Sequence, residues 1–448
     1  MKRESVKKLI AAGLAVTMIV SMTGCGAKSD KAADAENAAR VGDVKNKTSE
    51  NEVILFFPNS VIPDSTEGKD SADGQALSVV KEKLPDLTFT YRNFTTDNSK
   101  ELSYDDVCVE RIESGVDDDL YLLNGDVIVN MGRKGLLTDL SDIDGADQLL
   151  PAVKTACTVN GKLVAFPREY VAYGLIVNND ILKKHGLEIP ETDEEFLACC
   201  EKLKADGMKI PMAANRWWLE CFVLTQGFYD FYQSKDVDQL VKELNDGTTA
   251  ISTYMRPGFE FLKTCIDKGY IDAEQADSYE AFMERDAYLA GESAFMTSFT
   301  GAVTGEGRKL YEHDFDLKVV GFPTKAGQIA LATATGISIP ENDSHMDTSK
   351  KALEAFVSKE AAKVFCEKNG SFSARKDVSI DVEEKSELTD FMDDIHAGRL
   401  ISASNPEINM ELWGNTCTVV QHLLEGSSVD ACMDELDQMQ KDANENSK

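Results

Sequence analysis

The segment that decides the fold is Thr158 to Pro190, TVNGKLVAFPREYVAYGLIVNNDILKKHGLEIP. Asn160-Gly161 is a strong signal for a two-residue hairpin turn, which predicts a short strand on each side of it. Pro167 ends the second strand because proline lacks a backbone N–H donor. Tyr170 to Val177 is rich in aromatic and β-branched residues and predicts a further strand. A chain that leaves one sheet, crosses the charged elbow PREY and enters another sheet is expected to form a hinge between two lobes.

The chain before this segment alternates strands with helices. The order βαβαβ is typical of a doubly wound domain with a parallel sheet, in which ligands bind at the carboxyl edge of the strands. The predicted strands span 52–57, 87–94 and 119–123, and the predicted helices span 75–84 and 104–114.

The chain after this segment is richer in helix and contains further strands. We expect it to return between the lobes near 332–336 and again near 372–375. The first lobe would then comprise residues 53–167 plus 333–373, and the second lobe residues 168–332 plus 374–448. Strands are predicted at 292–298, 317–322 and 330–339, and helices at 216–228, 256–268, 278–290, 349–368 and 429–441.

Length and charge narrow the class of protein. A chain of 448 residues is long enough for two hydrophobic cores. Its 78 acidic and 47 basic residues give a formal net charge of −31. Such a charge argues against nucleic acids and anionic membrane surfaces as direct ligands, because both repel an acidic surface.

The amino terminus has the pattern of an export signal. A basic start, from Lys2 to Lys8, precedes an apolar run at Leu9 to Val20, which is too short for an ordinary transmembrane helix. Met22-Thr23-Gly24-Cys25 resembles a bacterial lipobox, in which the cysteine is lipidated and becomes the new amino terminus. The alternative is an ordinary secretory signal with an incidental cysteine. We therefore expect residues 1–24 to be a lipoprotein signal peptide, and residues 25–52 a lipidated, disordered tether to the outer face of a bacterial cell membrane.

No metal or cofactor site is predicted. The nine cysteines beyond Cys25 have no CxxC spacing and fall mostly at apolar positions, which favours buried thiols over a disulfide framework. The five histidines match no HExxH pattern. Asp117-Asp118-Asp119 lacks the alternating oxygen ligands and the glycine of a calcium loop, so it is interpreted as a polar turn before a strand.

Four stretches occur along the chain in the order DLYLLNGDVIVNMGRKGLLTDL, NGKLVAFPREYVAYGLIVNNDILKKHGLEIPETDEEF, AYLAGESAFMTSFTG and GFPTKAGQ. In this order they resemble the family 1 extracellular solute-binding proteins, the maltose-binding-protein-like components of sugar ABC importers. This resemblance implies a two-lobed α/β fold of the type II periplasmic-binding-protein class, each lobe a sheet flanked by helices, joined by a multi-segment hinge. The chain departs from the family at three places where many members have tryptophan: it has Phe56-Phe57 after the first strand, Asp193 in the second stretch, and Phe299 and Gly301 in the third.

Recognition of a sugar needs aromatic platforms and polar side chains that form directed hydrogen bonds in a cleft that excludes water. Trp217-Trp218 offers the best platform from the residues alone. The resemblance adds a ligand-binding carboxylate at Asp126 and a stacking tryptophan at Trp413. A solvated loop aspartate and a packing tryptophan are the alternatives for these two. The other candidates for contact with the ligand are Asn59, Asn124, Arg168, Glu169, Tyr170, Phe299 and Thr300.

Three functions are consistent with these residues. The first is a lipid-anchored monomer that closes on a mono- or oligosaccharide and delivers it to the permease of an ABC importer, without cofactor or catalysis. The second is a binding protein of the same fold for a peptide, a polyamine or an anion. The third is a surface glycan hydrolase, for which no GxSxG, HExxH or Cys-His arrangement is present. A cleft lined by several aromatic rings and few cationic side chains would favour a sugar as the ligand.

Overall fold

The computed structural model of the chain describes residues 49–57, 68–93, 103–278, 283–299, 304, 311–381 and 385–447. Within these ranges two main sheets are covered by helices. The strands are β1 (Glu52–Phe57), β2 (Thr88–Asn93), β3 (Leu120–Leu123), β4 (Thr158–Val159), β5 (Lys162–Leu163), β6 (Glu169–Asn178), β7 (Met212–Ala213), β8 (Phe295–Phe299), β9 (Leu317–Val320), β10 (Phe322–Thr324), β11 (Gly327–Thr333), β12 (Gly336–Ser338), β13 (Phe372–Ser373) and β14 (Leu400–Ser402). The helices are α1 (Ala72–Lys83), α2 (Tyr104–Glu113), α3 (Gly125–Arg133), α4 (Pro151–Ala156), α5 (Asn179–Lys184), α6 (Asp193–Ala205), α7 (Arg216–Gln233), α8 (Val237–Asp246), α9 (Ser252–Asp267), α10 (Ala273–Asp277), α11 (Met283–Leu289), α12 (Met346–Phe356), α13 (Lys359–Asn369), α14 (Thr389–His396), α15 (Trp413–Leu424) and α16 (Val429–Asn446).

The first sheet has the strand order β12-β3-β1-β2. β1 pairs in parallel with β2 and β3, as the βαβαβ pattern predicted, and β12 joins antiparallel to β3. All six residues of β1 are buried, as expected for a strand that is covered on both faces. This sheet and the helices packed on it are called the first lobe below.

The second sheet is organised around β6, the strand that follows the PREY elbow. β6 pairs antiparallel with β8, β9, β11 and β13, so ten residues connect most of the sheet. β14 adds parallel to β11, and β7 adds parallel to β8. Eight of the ten residues of β6 are buried, which explains their near-continuous apolar sequence. This sheet and its helices are called the second lobe.

The chain passes from sheet to sheet at three places. Phe166 exchanges two backbone hydrogen bonds with Ile337 of β12, at 2.8 and 2.9 Å, and three residues later β6 begins in the other sheet. β11 and β12 are separated by only two residues but lie in different sheets. β13 pairs with β6 directly after α13, a helix that packs on α1 of the first lobe. These passages lie side by side and form the hinge.

Several local predictions are confirmed. Asn160 and Gly161 both have positive φ, 52° and 72°, as the hairpin turn between β4 and β5 requires. Thr192 and Glu195, which the Thr-x-x-Glu pattern of the sequence also favours as a helix start, form a reciprocal capping box at the start of α6. All nine cysteines beyond Cys25 are buried and free of disulfide bonds.

Two predicted elements are wrong in extent. The single helix 349–368 is two helices, α12 and α13, because Ser358 has an extended backbone and its hydroxyl donates to the carbonyl oxygen of Ala355 at 2.8 Å. The run 330–339 divides into β11 and β12 at the hinge. There Gly336 approaches Ala165 so closely that an added Cβ would lie 2.6 Å from the alanine Cβ. Within the predicted helix 278–290, α11 confirms residues 283–289, and residues 279–282 lie outside the described ranges.

The aspartates at 117–119 are more than a polar turn. Asp118 is buried and accepts hydrogen bonds from Arg92 at 2.6 Å, from Arg111 at 2.7 and 2.9 Å, and from the Tyr121 hydroxyl at 2.6 Å. The backbone N–H of Ile54 donates to the neighbouring Asp119 at 2.6 Å. Two of the three carboxylates, Asp118 and Asp119, are therefore buried and fasten the first sheet internally, which the prediction of a polar turn before a strand did not include.

Two large hydrophobic clusters fill the molecule. One surrounds the first sheet and extends to the hinge, and the other lies between the second sheet and helices α6, α7, α9, α15 and α16. A search of the described ranges for membrane-spanning helices found none with sufficient length and apolar character.

Candidate ligand-binding site

Four aromatic rings form a continuous cluster on the second lobe. The Tyr173 ring lies 5.6 Å from Trp218 and 5.3 Å from Trp413, measured between ring centroids, and Trp218 lies 5.8 Å from Phe299. Tyr173 is 9% exposed, and the other three rings are half-buried. The cluster therefore presents partly open aromatic surface of the kind that binds the apolar face of a ligand.

Secondary structure positions each ring. Tyr173 belongs to β6 and Phe299 to the adjacent β8, where the two residues are in register. Trp218 lies in the first turn of α7, which is capped by Asn215, whose side chain accepts the backbone N–H of Trp217 at 3.1 Å. Trp413 is the first residue of α15. Two helix starts therefore point their tryptophans at the same sheet.

The opposite side of the site belongs to the first lobe, where α3 starts one residue after β3 ends. Asn124 caps the helix by position, but its side-chain amide donates to both oxygens of Asp105, at 2.9 and 3.1 Å. Asp126 lies in the first turn of α3 and is exposed. Desolvation nevertheless raises the pKa of Asp126, as expected for a carboxylate that reaches solvent through a cleft. The loop position considered for Asp126 is therefore a helical one.

Glu411 faces Asp126 from the second lobe. Its carboxylate accepts the backbone N–H groups of the first three residues of α15, at 2.6, 2.7 and 3.2 Å, and so caps that helix. Desolvation, followed by the negative charge of Asp126, raises the pKa of Glu411 to about 7, although the three N–H donors lower it. The side chain remains open to solvent. The negative charge of Asp126 in the first lobe thus contributes to the raised pKa of Glu411 in the second lobe.

The PREY side chains lie in hinge packing and not in the aromatic cluster. The Arg168 guanidinium is 3.8 Å from the centre of the Phe365 ring, and its Nη1 is 3.0 Å from Asp73. The Asn369 amide donates to Glu169 at 2.8 Å. Tyr170 packs on Phe372 and is 2% exposed. Burial of this kind accounts for all three residues without a ligand.

The remaining candidates separate into two groups. Trp217 lies beneath Arg216, whose guanidinium carbon is 5.0 Å from the ring centre, and no ring contact joins Trp217 to the four-ring cluster among the described residues. The other group lies outside the described residues: Asn59, Thr300 and the lipidation candidate Cys25, together with the signal peptide and most of the tether.

Sequence reasoning missed Tyr173 and Glu411 as site residues. Tyr173 was assigned only to a strand, and nothing local marks it, because its role depends on two helices from distant parts of the chain. For Glu411 a signal existed, since an acidic residue just before a helix is favoured by the helix dipole. That signal predicts that Glu411 caps a helix, but it does not predict that the side chain lies near the other lobe.

Comparison with known proteins identifies the family. A family model described as bacterial extracellular solute-binding protein matches residues 110–393, more than half of the chain. The chain belongs to this family. Its members are binding proteins that work outside the cytoplasm, so this solute-binding protein is extracytoplasmic. The suspected resemblance and the two-lobed α/β fold are thereby confirmed.

Three similar proteins illustrate the relationship. An uncharacterized ABC transporter extracellular-binding protein of Pyrococcus horikoshii is 28% identical over 277 residues, covering 59% of this chain and 60% of its own. A "probable sugar-binding periplasmic protein" of Mesorhizobium japonicum is 28% identical over 227 residues, covering 46% of this chain and 54% of its own. The chain thus spans less than two thirds of either relative. The solved structure of a family 1 extracellular solute-binding protein from Bifidobacterium longum subsp. infantis superposes with a TM-score of 0.72 at 19% identity, over 87% of this chain and 99% of that one.

Proposed function

We propose that this solute-binding protein captures a carbohydrate between its lobes and delivers it to the permease of an ABC importer. The observation that carries the proposal is the half-buried ring cluster of Tyr173, Trp218, Trp413 and Phe299. Such rings bury the C–H faces of a sugar, while Asn124 and Asp126 on the other lobe supply hydrogen-bonding groups for hydroxyls. The Mesorhizobium relative, a "probable sugar-binding periplasmic protein", agrees with this ligand class.

Closure follows from contacts on both sides of the cleft. A ligand shifts an open-to-closed equilibrium only by its differential affinity for the two states. A saccharide that stacks on Trp413 of the second lobe and accepts or donates hydrogen bonds at Asp126 of the first lobe meets that condition. The lobes in this proposal comprise residues 53–167 plus 333–373 and 168–332 plus 374–448, and the protein acts as a monomer that makes and breaks no covalent bond.

The protein is held at the membrane by a lipid on Cys25 in this proposal. Two acyl chains on one thioether-linked glycerol meet the requirement for stable anchoring, which a single chain does not. The Cys25→Ala variant should be recovered in the soluble fraction of the producing bacterium, whereas the parent chain stays with the membrane. Retention of the variant would contradict the anchor.

A thermal-shift screen tests the ligand class. We expect at least one neutral mono- or oligosaccharide to raise the melting temperature, because a ligand that binds only the folded state stabilises it in proportion to RT ln(1 + [L]/Kd). Amino acids, polyamines and inorganic anions serve as comparison solutes. A shift with one of these solutes and none with any saccharide would contradict the proposal.

A further inference from the structure

A segment without regular secondary structure joins the two lobes. Residues 403–411, called the bridging segment, run from β14 to the start of α15. Asn405, Pro406, Ile408 and Met410 are buried, although connecting loops normally lie on the surface, where water satisfies their backbone groups. The backbone of the bridging segment therefore needs hydrogen-bond partners from the protein.

Asn245 of α8 supplies two of these partners. Its side-chain oxygen accepts the backbone N–H of Asn409 at 2.8 Å, and its side-chain nitrogen donates to the carbonyl oxygen of Glu407 at 2.7 Å. The side chain of Asn409 in turn donates to Asn444 of α16 at 2.9 Å, and Asn444 donates to the carbonyl oxygen of Leu244 at 2.8 Å. Asn245 thus belongs to an amide network that holds the bridging segment against two helices of the second lobe.

The bridging segment contacts the first lobe on its other side. Arg133 of α3 donates to the carbonyl oxygens of Pro406 and Ile408, at 2.8 and 2.7 Å. The carbonyl group of Glu407 lies between these two acceptors in the chain and is the one that Asn245 binds. Successive carbonyl groups are therefore divided between the lobes, so the bond to Asn245 helps to determine where the acceptors of Arg133 lie.

Helix propensity does not explain an asparagine at position 245. Asn245 lies in the last turn of α8, where alanine or leucine would be a better helix former and where the helix dipole favours a basic residue. Its side chain is used instead to bind the bridging segment. An apolar residue in its place would leave a carbonyl oxygen and an N–H group of a mostly buried segment without these partners, which is unfavourable.

The bridging segment leads directly into the aromatic cluster. Met410 and Leu412 are each 1% exposed and anchor the end of the segment in the hydrophobic cluster of the second lobe. Trp413 follows as the first residue of α15. One short stretch of chain therefore positions both the acceptors of Arg133 and the ring of Trp413. A shift of that stretch would change the contact between the lobes and the candidate ligand site together.

We propose that Asn245 is a positioning residue for closure of the lobes, because it holds the bridging segment in the conformation that presents Pro406 and Ile408 to Arg133. This inference rests on the closure that the proposed function requires, and it does not depend on which solute binds. Loss of the two side-chain bonds of Asn245 raises the proportion of open protein, since fewer contacts then favour the closed state.

The separation of the lobes in the unliganded mature chain, carrying Cys25→Ala, tests the inference. Spin labels at Glu82→Cys on α1 and Asp434→Cys on α16 report this separation by double electron–electron resonance, since both positions are exposed and the nine remaining cysteines are buried. We expect the ratio of open to closed protein to rise at least about threefold in Asn245→Leu and in Arg133→Met. In the double variant the two factors should not multiply, because residues that act through one network are coupled.

Two further variants separate positioning from a loss of folding, and circular dichroism shows which variants are folded. Gln239→Leu removes an exposed amide that donates to Glu243 of the same helix at 2.9 Å, so it should leave the ratio unchanged. Asn245→Asp keeps the acceptor for Asn409 and loses the donor to Glu407. Its ratio should therefore lie between those of the parent and Asn245→Leu.

The outcomes distinguish the positioning role from the proposed function. An unchanged ratio in folded Asn245→Leu overturns the positioning role and leaves solute capture intact, and so do effects of Asn245→Leu and Arg133→Met that multiply in the double variant. If Asn245→Leu does not fold, an unchanged ratio in Asn245→Asp has the same meaning. A single distance in the parent chain, unaltered by every solute of the thermal-shift screen, contradicts closure and with it the proposed function.

Discussion

The Arg133 guanidinium, at the end of α3 in the first lobe, lies 2.7 Å from the carbonyl oxygen of Ile408 in the second lobe and donates a hydrogen bond to it. It donates a second bond to Pro406 at 2.8 Å. The turn of the β4-β5 hairpin adds another contact between the lobes, since the N–H of Gly161 donates to Glu407 at 3.1 Å. Hydrogen bonds between protein groups thus join the two lobes.

Removing the Arg133 contacts should shift the protein towards an open state. Arg133→Met keeps the length of the side chain and removes its donors. We expect ligand affinity to fall by about three- to tenfold, because a smaller populated fraction of binding-competent protein lowers apparent affinity in proportion. The radius of gyration of the unliganded protein, measured by small-angle X-ray scattering, should increase.

Lys134→Met is the matched control for this change. Lys134 is the next residue and pairs with Glu113 of its own lobe at 2.5 Å, with both side chains exposed. Its loss should leave affinity and radius of gyration unaltered, since exposed pairs contribute little. Equal behaviour of the two variants would show that Arg133 does not hold the lobes together.

The tryptophans should differ in their effect on ligand binding. Trp413→Leu and Trp218→Leu each remove a ring from the cluster and should weaken binding at least about tenfold, about 1.4 kcal/mol. Trp217→Leu alters a ring that lies under Arg216 and should change affinity by less than about threefold. Calorimetric titration at constant pH measures all three. If Trp217→Leu weakens ligand binding more than Trp413→Leu does, the ligand binds on the other side of α7.

The buried network around Asp118 should dominate the stability of the first lobe. Asp118→Asn leaves Arg92 and Arg111 without their anionic partner, and breaking a buried ion pair costs about 3–5 kcal/mol. Urea denaturation monitored by circular dichroism measures the free energy of unfolding. Asp117→Asn changes the neighbouring, half-buried carboxylate and should cost less than about 1 kcal/mol. A loss at Asp118 no larger than that at Asp117 would contradict a structural role for the network.

The pKa of Glu411 predicts how stability depends on pH. The folded value, about 7, lies above the ordinary value of 4.5, so the folded state favours the protonated form. The corresponding stabilisation is complete below pH 4.5 and is lost as pH rises through 7. Glu411→Gln is always neutral, so its melting temperature relative to the parent should rise between pH 5 and pH 8. Glu425→Gln, at the far end of α15, is the control variant. If the melting temperature of Glu411→Gln relative to the parent does not change with pH, the pKa of Glu411 is not raised in the folded state.

The hinge could be predicted from sequence because its signals are local. Asn160-Gly161 fixes a hairpin, Pro167 ends a strand, and the apolar run of β6 can only be buried in a sheet. The site could be predicted only in part. Asp126 and Trp413 followed from resemblance to a family, whereas Tyr173 and Glu411 become site residues only through contacts between α7, α15, β6 and the opposite lobe. No local spacing encodes such contacts, and the break at Ser358 shows that even a clear amphipathic pattern does not locate a chain reversal.

Calorimetric titration of the mature protein with a panel of oligosaccharides tests the central claim most directly. Carbohydrate capture predicts saturable binding of at least one saccharide, with a negative heat-capacity change from burial against the rings and at least tenfold weaker binding in Trp413→Leu. Saturable binding of an amino acid, a polyamine or an anion, with no response to any saccharide, would contradict it.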